Sequence, residues 1–175
     1  MQKREFQLSL AGKILTATFT DMTEQANGSV LMRLGNTTVL VTAVMSRERG
    51  EADFFPLTVE YEERFYASGQ ILGGQYVRRE GRPSEEATLS ARAIDRTIRP
   101  LFNQKIRREI QVVVTTLSID NENDPDVLGI IGTSLALAAS DIPWEGPVGA
   151  LRIAKLPSGV LVVNPTRTER TEATL

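Results

Sequence analysis

Over the first sixty residues, apolar and polar side chains alternate with the period of two that a strand with one buried face requires. Residues 5–10 alternate in this way, Ala11-Gly12-Lys13 offers a turn, and residues 14–19 continue with β-branched side chains, so a hairpin is expected. Residues 28–34 and 37–45 flank Gly35-Asn36, a pair suited to positive φ, and predict a second hairpin. Within it Val39-Leu40-Val41 reads as buried on both faces. A fifth strand is expected over 55–61, entered through Pro56 after the charged loop 46–53.

The period then changes. Residues 67–82 contain Gly69, Gly73, Gly74 and Gly81 with three arginines and follow neither template, which predicts a long mobile loop. Ser84 offers an N-cap, Glu85 and Glu86 suit the positive end of a helix dipole, and a helical pattern runs to about Ile98 before Pro100 disturbs it. Residues 109–119 form a long strand pattern. Asp124 as cap and Pro125 at the first helical position open a second helix to about Ser140. That helix is apolar or small almost all round, which means burial, and Gly129 and Gly132 would admit another backbone closely. Strands at 148–155 and 160–163 form a last hairpin across Pro157-Ser158-Gly159, and the polar tail 166–175 shows no cap or stop. About five strands, helix, strand, helix and hairpin make an α+β fold of mixed, mostly antiparallel sheets packed with two helices. The abrupt end suggests that the domain is C-terminally incomplete.

Composition narrows the chemistry. The 175 residues suffice for one domain with a core, and they include neither Cys nor His. Disulfides, thiol nucleophiles, zinc sites of sulfur or imidazole and imidazole-dependent triads are thereby excluded. No apolar run approaches a membrane span and no leader pattern opens the chain, which fits a cytoplasmic protein without membrane contact. The net charge of −2 conceals an asymmetry: residues 64–108 hold ten basic side chains against four acidic ones. A local excess of this size inside a mildly acidic chain points to a polyanion site.

At about 100° per residue, Arg92, Arg96 and Arg99 fall within an arc of roughly 60°, opposite the stripe of Ala87, Ala91, Ile94, Ile98 and Leu101. Arg78, Arg79 and Arg82 lie in the loop that enters this helix, and Tyr76 adds a ring on which a base could stack. Guanidinium forks bind phosphate oxygens bidentately and stay charged, so the six arginines make a track for a phosphate backbone. Asp95 and Glu85 offer Arg99 and Arg92 ion pairs instead, and a subunit interface is a third use for the row. Asp120, Glu122, Asp124 and Asp126 cluster where a strand meets a helix, which suits a cap and loop better than a Mg²⁺ site. Residues 129–134 lack the Lys and the spacing of a phosphate loop, and packing explains their glycines better.

Several runs carry a resemblance. Asp53-Phe54-Phe55-Pro56-Leu57-Thr58-Val59, Tyr61-Glu62-Glu63-Arg64, Arg78-Arg79-Glu80-Gly81-Arg82-Pro83-Ser84-Glu85, Ile94-Asp95-Arg96 and Ile98-Arg99-Pro100-Leu101-Phe102 resemble the first RNase PH-like core of the bacterial polynucleotide phosphorylases. Asp124-Pro125-Asp126, Ile142-Pro143, Gly146-Pro147-Val148-Gly149 and Asn164-Pro165-Thr166 continue the likeness along nearly the whole chain.

The resemblance implies a core like domain 2 of ribosomal protein S5, homotrimeric rings around an RNA channel, and phosphorolytic 3′ to 5′ degradation of single-stranded RNA to nucleoside diphosphates in mRNA decay. It implies inorganic phosphate as co-substrate, Mg²⁺ or Mn²⁺ bound outside this segment, and membership of an RNA-degradation complex. It also implies that catalytic residues sit in a second core, so that none is expected here and the fragment alone is inactive. By position Arg78 and Arg79 match the family's basic loop at the channel constriction, and Arg82, Arg92, Arg96 and Arg99 match arginines of the following helix. RNA binding is therefore expected at Tyr76, Arg78, Arg79, Arg82, Arg92, Arg96 and Arg99. A non-catalytic assembly module and a stand-alone RNase PH-type nuclease remain as alternatives.

Overall fold

A computed structural model describes residues 3–71, 82–120 and 122–173. Among these residues, eight strands and three α-helices follow the order β1 (Lys3–Leu10), β2 (Lys13–Thr20), β3 (Gly28–Leu34), β4 (Thr37–Met45), β5 (Leu57–Glu62), α1 (Glu85–Ile98), β6 (Ile110–Ser118), α2 (Pro125–Ala138), β7 (Ile153–Lys155), β8 (Leu161–Val163) and α3 (Arg167–Glu172). The first six strands form one sheet in the order β1-β2-β3-β4-β6-β5, and β7 and β8 form a separate hairpin. All pairings are antiparallel except that of β5 with β6, which α1 connects as a crossover. The expected α+β class and mostly antiparallel pairing are what the chain adopts.

Period-two alternation decides which face is covered. Val30 and Met32 of β3 stand opposite Val41 and Val39 of β4, while Val41 and Ala43 stand opposite Val114 and Val112 of β6. All seven are buried beneath the helices. The opposite face is more open, and there the expectation for β4 needs correction. Leu40 is only half-buried, because among the described residues the long helices pack on the face that Val39 and Val41 bury.

The two glycines of α2 serve packing, as their pattern indicates. A Cβ on Gly132 would stand 2.7 Å from Val41 Cγ2 and 2.9 Å from Met32 Cγ. The helix therefore settles directly onto β3 and β4, with Leu128 and Leu137 filling the space beside it.

Two segments differ from expectation. β7 spans only three residues, because the chain before it bonds elsewhere: the Glu145 N–H donates to the Leu101 carbonyl, and the Val148 N–H to Ser134 Oγ. The tail forms α3 through a capping box in which Thr166 Oγ1 accepts from the Glu169 N–H and the Glu169 carboxylate accepts from the Thr166 N–H.

Candidate nucleic-acid interface

Local chemistry starts α1 where the arginines need it. Ser84 Oγ accepts from the Ala87 N–H at 2.9 Å and donates to Glu63 at 2.7 Å, which ties the helix start to the end of β5. Glu85 and Glu86 occupy the first turn. Ala87, Ile94 and Ile98 bury one face, so the opposite face stands outward with Leu89, Arg92, Ala93 and Arg96 exposed.

Arg82, Arg92 and Arg96 are all exposed, and among the described residues none of them has a carboxylate partner within ion-pair distance. Arg82 lines an open cleft with Glu62, Glu63, Arg64, Ser68 and Ser84, at the carboxyl end of β5. Three of the seven residues expected to bind RNA thus lie along the start and outer face of one helix. Tyr76, Arg78 and Arg79, and most of the expected loop 67–82, lie outside the described residues.

Arg99 differs from the other helix arginines. Its Nε donates to Asp95 at 2.9 Å, its terminal nitrogens reach the carbonyls of Leu57 at 3.0 Å and Phe55 at 3.4 Å, and its guanidinium carbon lies 5.8 Å from the Phe55 ring centre. These contacts clamp the end of α1 to the start of β5. The Asp95 pair, open as an alternative from the sequence, is formed.

Three members of the acidic cluster, Asp120, Asp124 and Asp126, are likewise committed. Asp120 accepts from Thr37 Oγ1, from the N–H groups of Asn36, Glu122 and Asn123, and from the Asn123 amide. Burial works against its charge, but the bonds from Asn123, Asn36 and Glu122 outweigh that and hold its carboxyl well below the usual carboxylate range. Asp124 occupies the cap position of α2 without a capping bond, because its carboxylate meets Arg152 and Arg170, and Asp126 meets Arg152 as well. With their oxygens so engaged, these residues do not fit a divalent metal, and no group of three or more acidic side chains among the described residues is arranged to hold one.

Arg152 and Arg170 escaped sequence reasoning. The available signal was charge: two cations from the C-terminal stretch face an acidic helix start that needs neutralising. Leu89 was also missed. It stands outside the apolar stripe and is 63% exposed, one turn from Arg92 and Ala93. No helix among the described residues is long and apolar enough to cross a membrane.

Comparison with known proteins agrees with this architecture. The chain is 57% identical over 163 residues to a polyribonucleotide nucleotidyltransferase of Thermomicrobium roseum, covering 93% of this chain and 20% of that protein. It is 52% identical over 174 residues to the enzyme of the same name from Thermus thermophilus, covering 99% and 24%. The chain therefore spans about a fifth to a quarter of the length of these relatives. Among solved structures, rice Rrp46 superposes with a TM-score of 0.67 at 13% identity, covering 98% of this chain and 72% of that one. An Archaeoglobus fulgidus exosome with RNA bound to the active site superposes with a TM-score of 0.61 at 18% identity, covering 99% and 69%. At such identities these two show the fold. The model of the 3′ exoribonuclease family, domain 1, matches residues 15–143, and the chain belongs to that RNase PH family.

Proposed function

We propose that this chain is the RNA-guiding first core of a polyribonucleotide nucleotidyltransferase, a phosphorolytic 3′ to 5′ exoribonuclease of single-stranded RNA. One observation carries the reading: a member of this family exposes Arg82 just before α1, and Arg92 and Arg96 on its outer face, with no carboxylate partner among the described residues. Guanidinium groups so placed hold successive phosphates of a strand without reading its bases. Arg78, Arg79 and Tyr76 extend the track in this reading, and Arg99 positions α1 beneath it. In the complete enzyme, inorganic phosphate attacks the terminal phosphodiester and a nucleoside diphosphate leaves, shortening the RNA by one residue. Mg²⁺ or Mn²⁺, which lowers the charge on the scissile group, belongs to residues outside this chain. A homotrimeric ring, a place in an RNA-degradation complex and a cytoplasmic location go with the same reading.

The test is RNA titration of the full-length enzyme bearing Arg92→Ala with Arg96→Ala, at several salt concentrations. Affinity should fall, and the slope of log K against log salt should shrink by about 0.7 for each phosphate that the protein no longer neutralises. Unchanged affinity with an unchanged slope removes the role. The exposed Leu89 between the charges favours a second reading, in which the row meets a neighbouring subunit. Loss of assembly mass with intact RNA affinity would select that one.

A further inference from the structure

The free edge of the main sheet carries an apolar surface that the fold leaves open. Among the described residues β1 pairs with β2 alone. Phe6 and Leu8 are 61% and 58% exposed, although the register sets them opposite Ala17 and Leu15, which are buried in the core. The Phe6 ring meets Phe19 edge-on at 5.9 Å and borders an open groove with Phe19 and Ala139, at the end of α2.

The turn decides which backbone groups this edge offers. Ala11 and Gly12 both take positive φ, 51° and 78°, as a two-residue type I′ loop requires. The residues flanking such a loop, Leu10 and Lys13, exchange both backbone hydrogen bonds. Alternation along β1 then turns the N–H and C=O groups of Leu8, Phe6 and Arg4 toward β2. Those of Ser9, Gln7, Glu5 and Lys3 point to the open side.

We propose that β1 pairs antiparallel with β1 of a second copy of this chain, about a two-fold axis through Gln7. Outward-pointing residues must oppose one another, which an axis through any single residue of β1 allows. At Arg4 it would oppose two like charges, at Phe6 it would set Leu8 against the partner's Arg4, and at Leu8 it would carry Glu5 into the partner's turn. At Lys3 or Glu5 it would oppose two like charges, which is unfavourable. At Ser9 it would carry Gln7 into the partner's turn and shorten the ladder. Through Gln7, Glu5 meets the partner's Ser9, Arg4 meets the partner's Leu10, and no like charges face each other. Phe6 then lies against the partner's Leu8 in a non-hydrogen-bonded pair, where side chains approach most closely. Both exposed apolar residues are covered at once. A single pair of eight-residue strands is smaller than the roughly 1,200–2,000 Å² of a tight interface, so the dimer is weak and depends on concentration.

The absence of cysteine makes the register directly testable. Across the axis the two Gln7 Cα atoms would be about 5.5 Å apart, within disulfide reach. Gln7→Cys should cross-link on mild oxidation at least tenfold faster than Ser158→Cys, which lies on an exposed turn. Glu5→Cys and Ser9→Cys should link to each other when mixed and far less to themselves. Sedimentation of the unmodified chain should show mass rising with concentration, and Leu8→Lys, checked for folding by circular dichroism, should abolish the rise. Equal rates for positions 7 and 158, self-linking of Glu5→Cys as fast as mixed linking, or a monomer at millimolar concentration would each overturn the proposal.

Discussion

α1 and α2 have the same length and opposite uses. Both span fourteen residues and pack on the same face of one sheet. α1 divides its surface, burying Ala87, Ile94 and Ile98 and presenting Arg92 and Arg96 to solvent. α2 buries Leu128, Gly129, Gly132, Thr133, Ser134, Ala136 and Leu137, and its charges are confined to the first turn, where Arg152 and Arg170 neutralise them. One helix is an outward instrument on an inward anchor, and the other is interior material. The difference shows why free positive charge collects at α1: at α2 the cations already have anions, whereas Arg92 and Arg96 have none among the described residues.

The largest effects should test the anchors, where the two helices are alike. Ile98→Ala in α1 and Leu137→Ala in α2 truncate side chains that are 0% and 1% exposed, and each should cost about 2–5 kcal/mol in urea unfolding. A cost near zero for Ile98→Ala would mean that α1 is not fastened to the core as described. The next effect separates the helices. Gly132→Ala forces a methyl group against Val41 and Met32 and should cost about 1–3 kcal/mol. Ala93→Leu, on the exposed face of α1, should stay within about 0.5 kcal/mol by the same measurement. Equal costs would erase the contrast between them.

A smaller loss than that of the core truncations concerns the junction leading into α2. The folded protein holds the Asp120 proton less tightly than the unfolded chain does. Its stabilisation is therefore whole at neutral pH and is lost progressively as pH falls below about 4, toward the folded value. Asp120→Asn should destabilise by about 1 kcal/mol at pH 7. Urea unfolding as a function of pH should show the gap between parent and variant narrowing in acid; a constant gap would contradict the assigned cause.

Most strands and the long helices were legible because they meet the core, which writes a period into the sequence; β1 alternates as well, though its apolar side stays exposed. The start of α1 was legible through Ser84, Glu85 and Glu86, and the buried character of α2 through its small and apolar residues. α3 was harder to see: six residues carry no apolar period, and only Thr166 with Glu169 three positions on signalled it. β7 was overestimated because Val148 to Arg152 has strand composition, while the bonds that occupy part of it come from Ser134 and Asn164, distant in sequence. Exposure of the candidate residues was legible where it follows from helical phase, at Arg92 and Arg96. It was less so at Arg99, whose phase matches theirs but whose reach extends to carbonyls more than forty residues earlier.

The pairing of Asp124 and Asp126 with Arg152 and Arg170 has a mechanical consequence. The C-terminal segment is moored to the main body partly by half-exposed charges, and such attractions weaken as dissolved ions accumulate. Ionic strength thus tunes how firmly this last stretch docks, independently of the oily contacts that keep the sheet and its helices together.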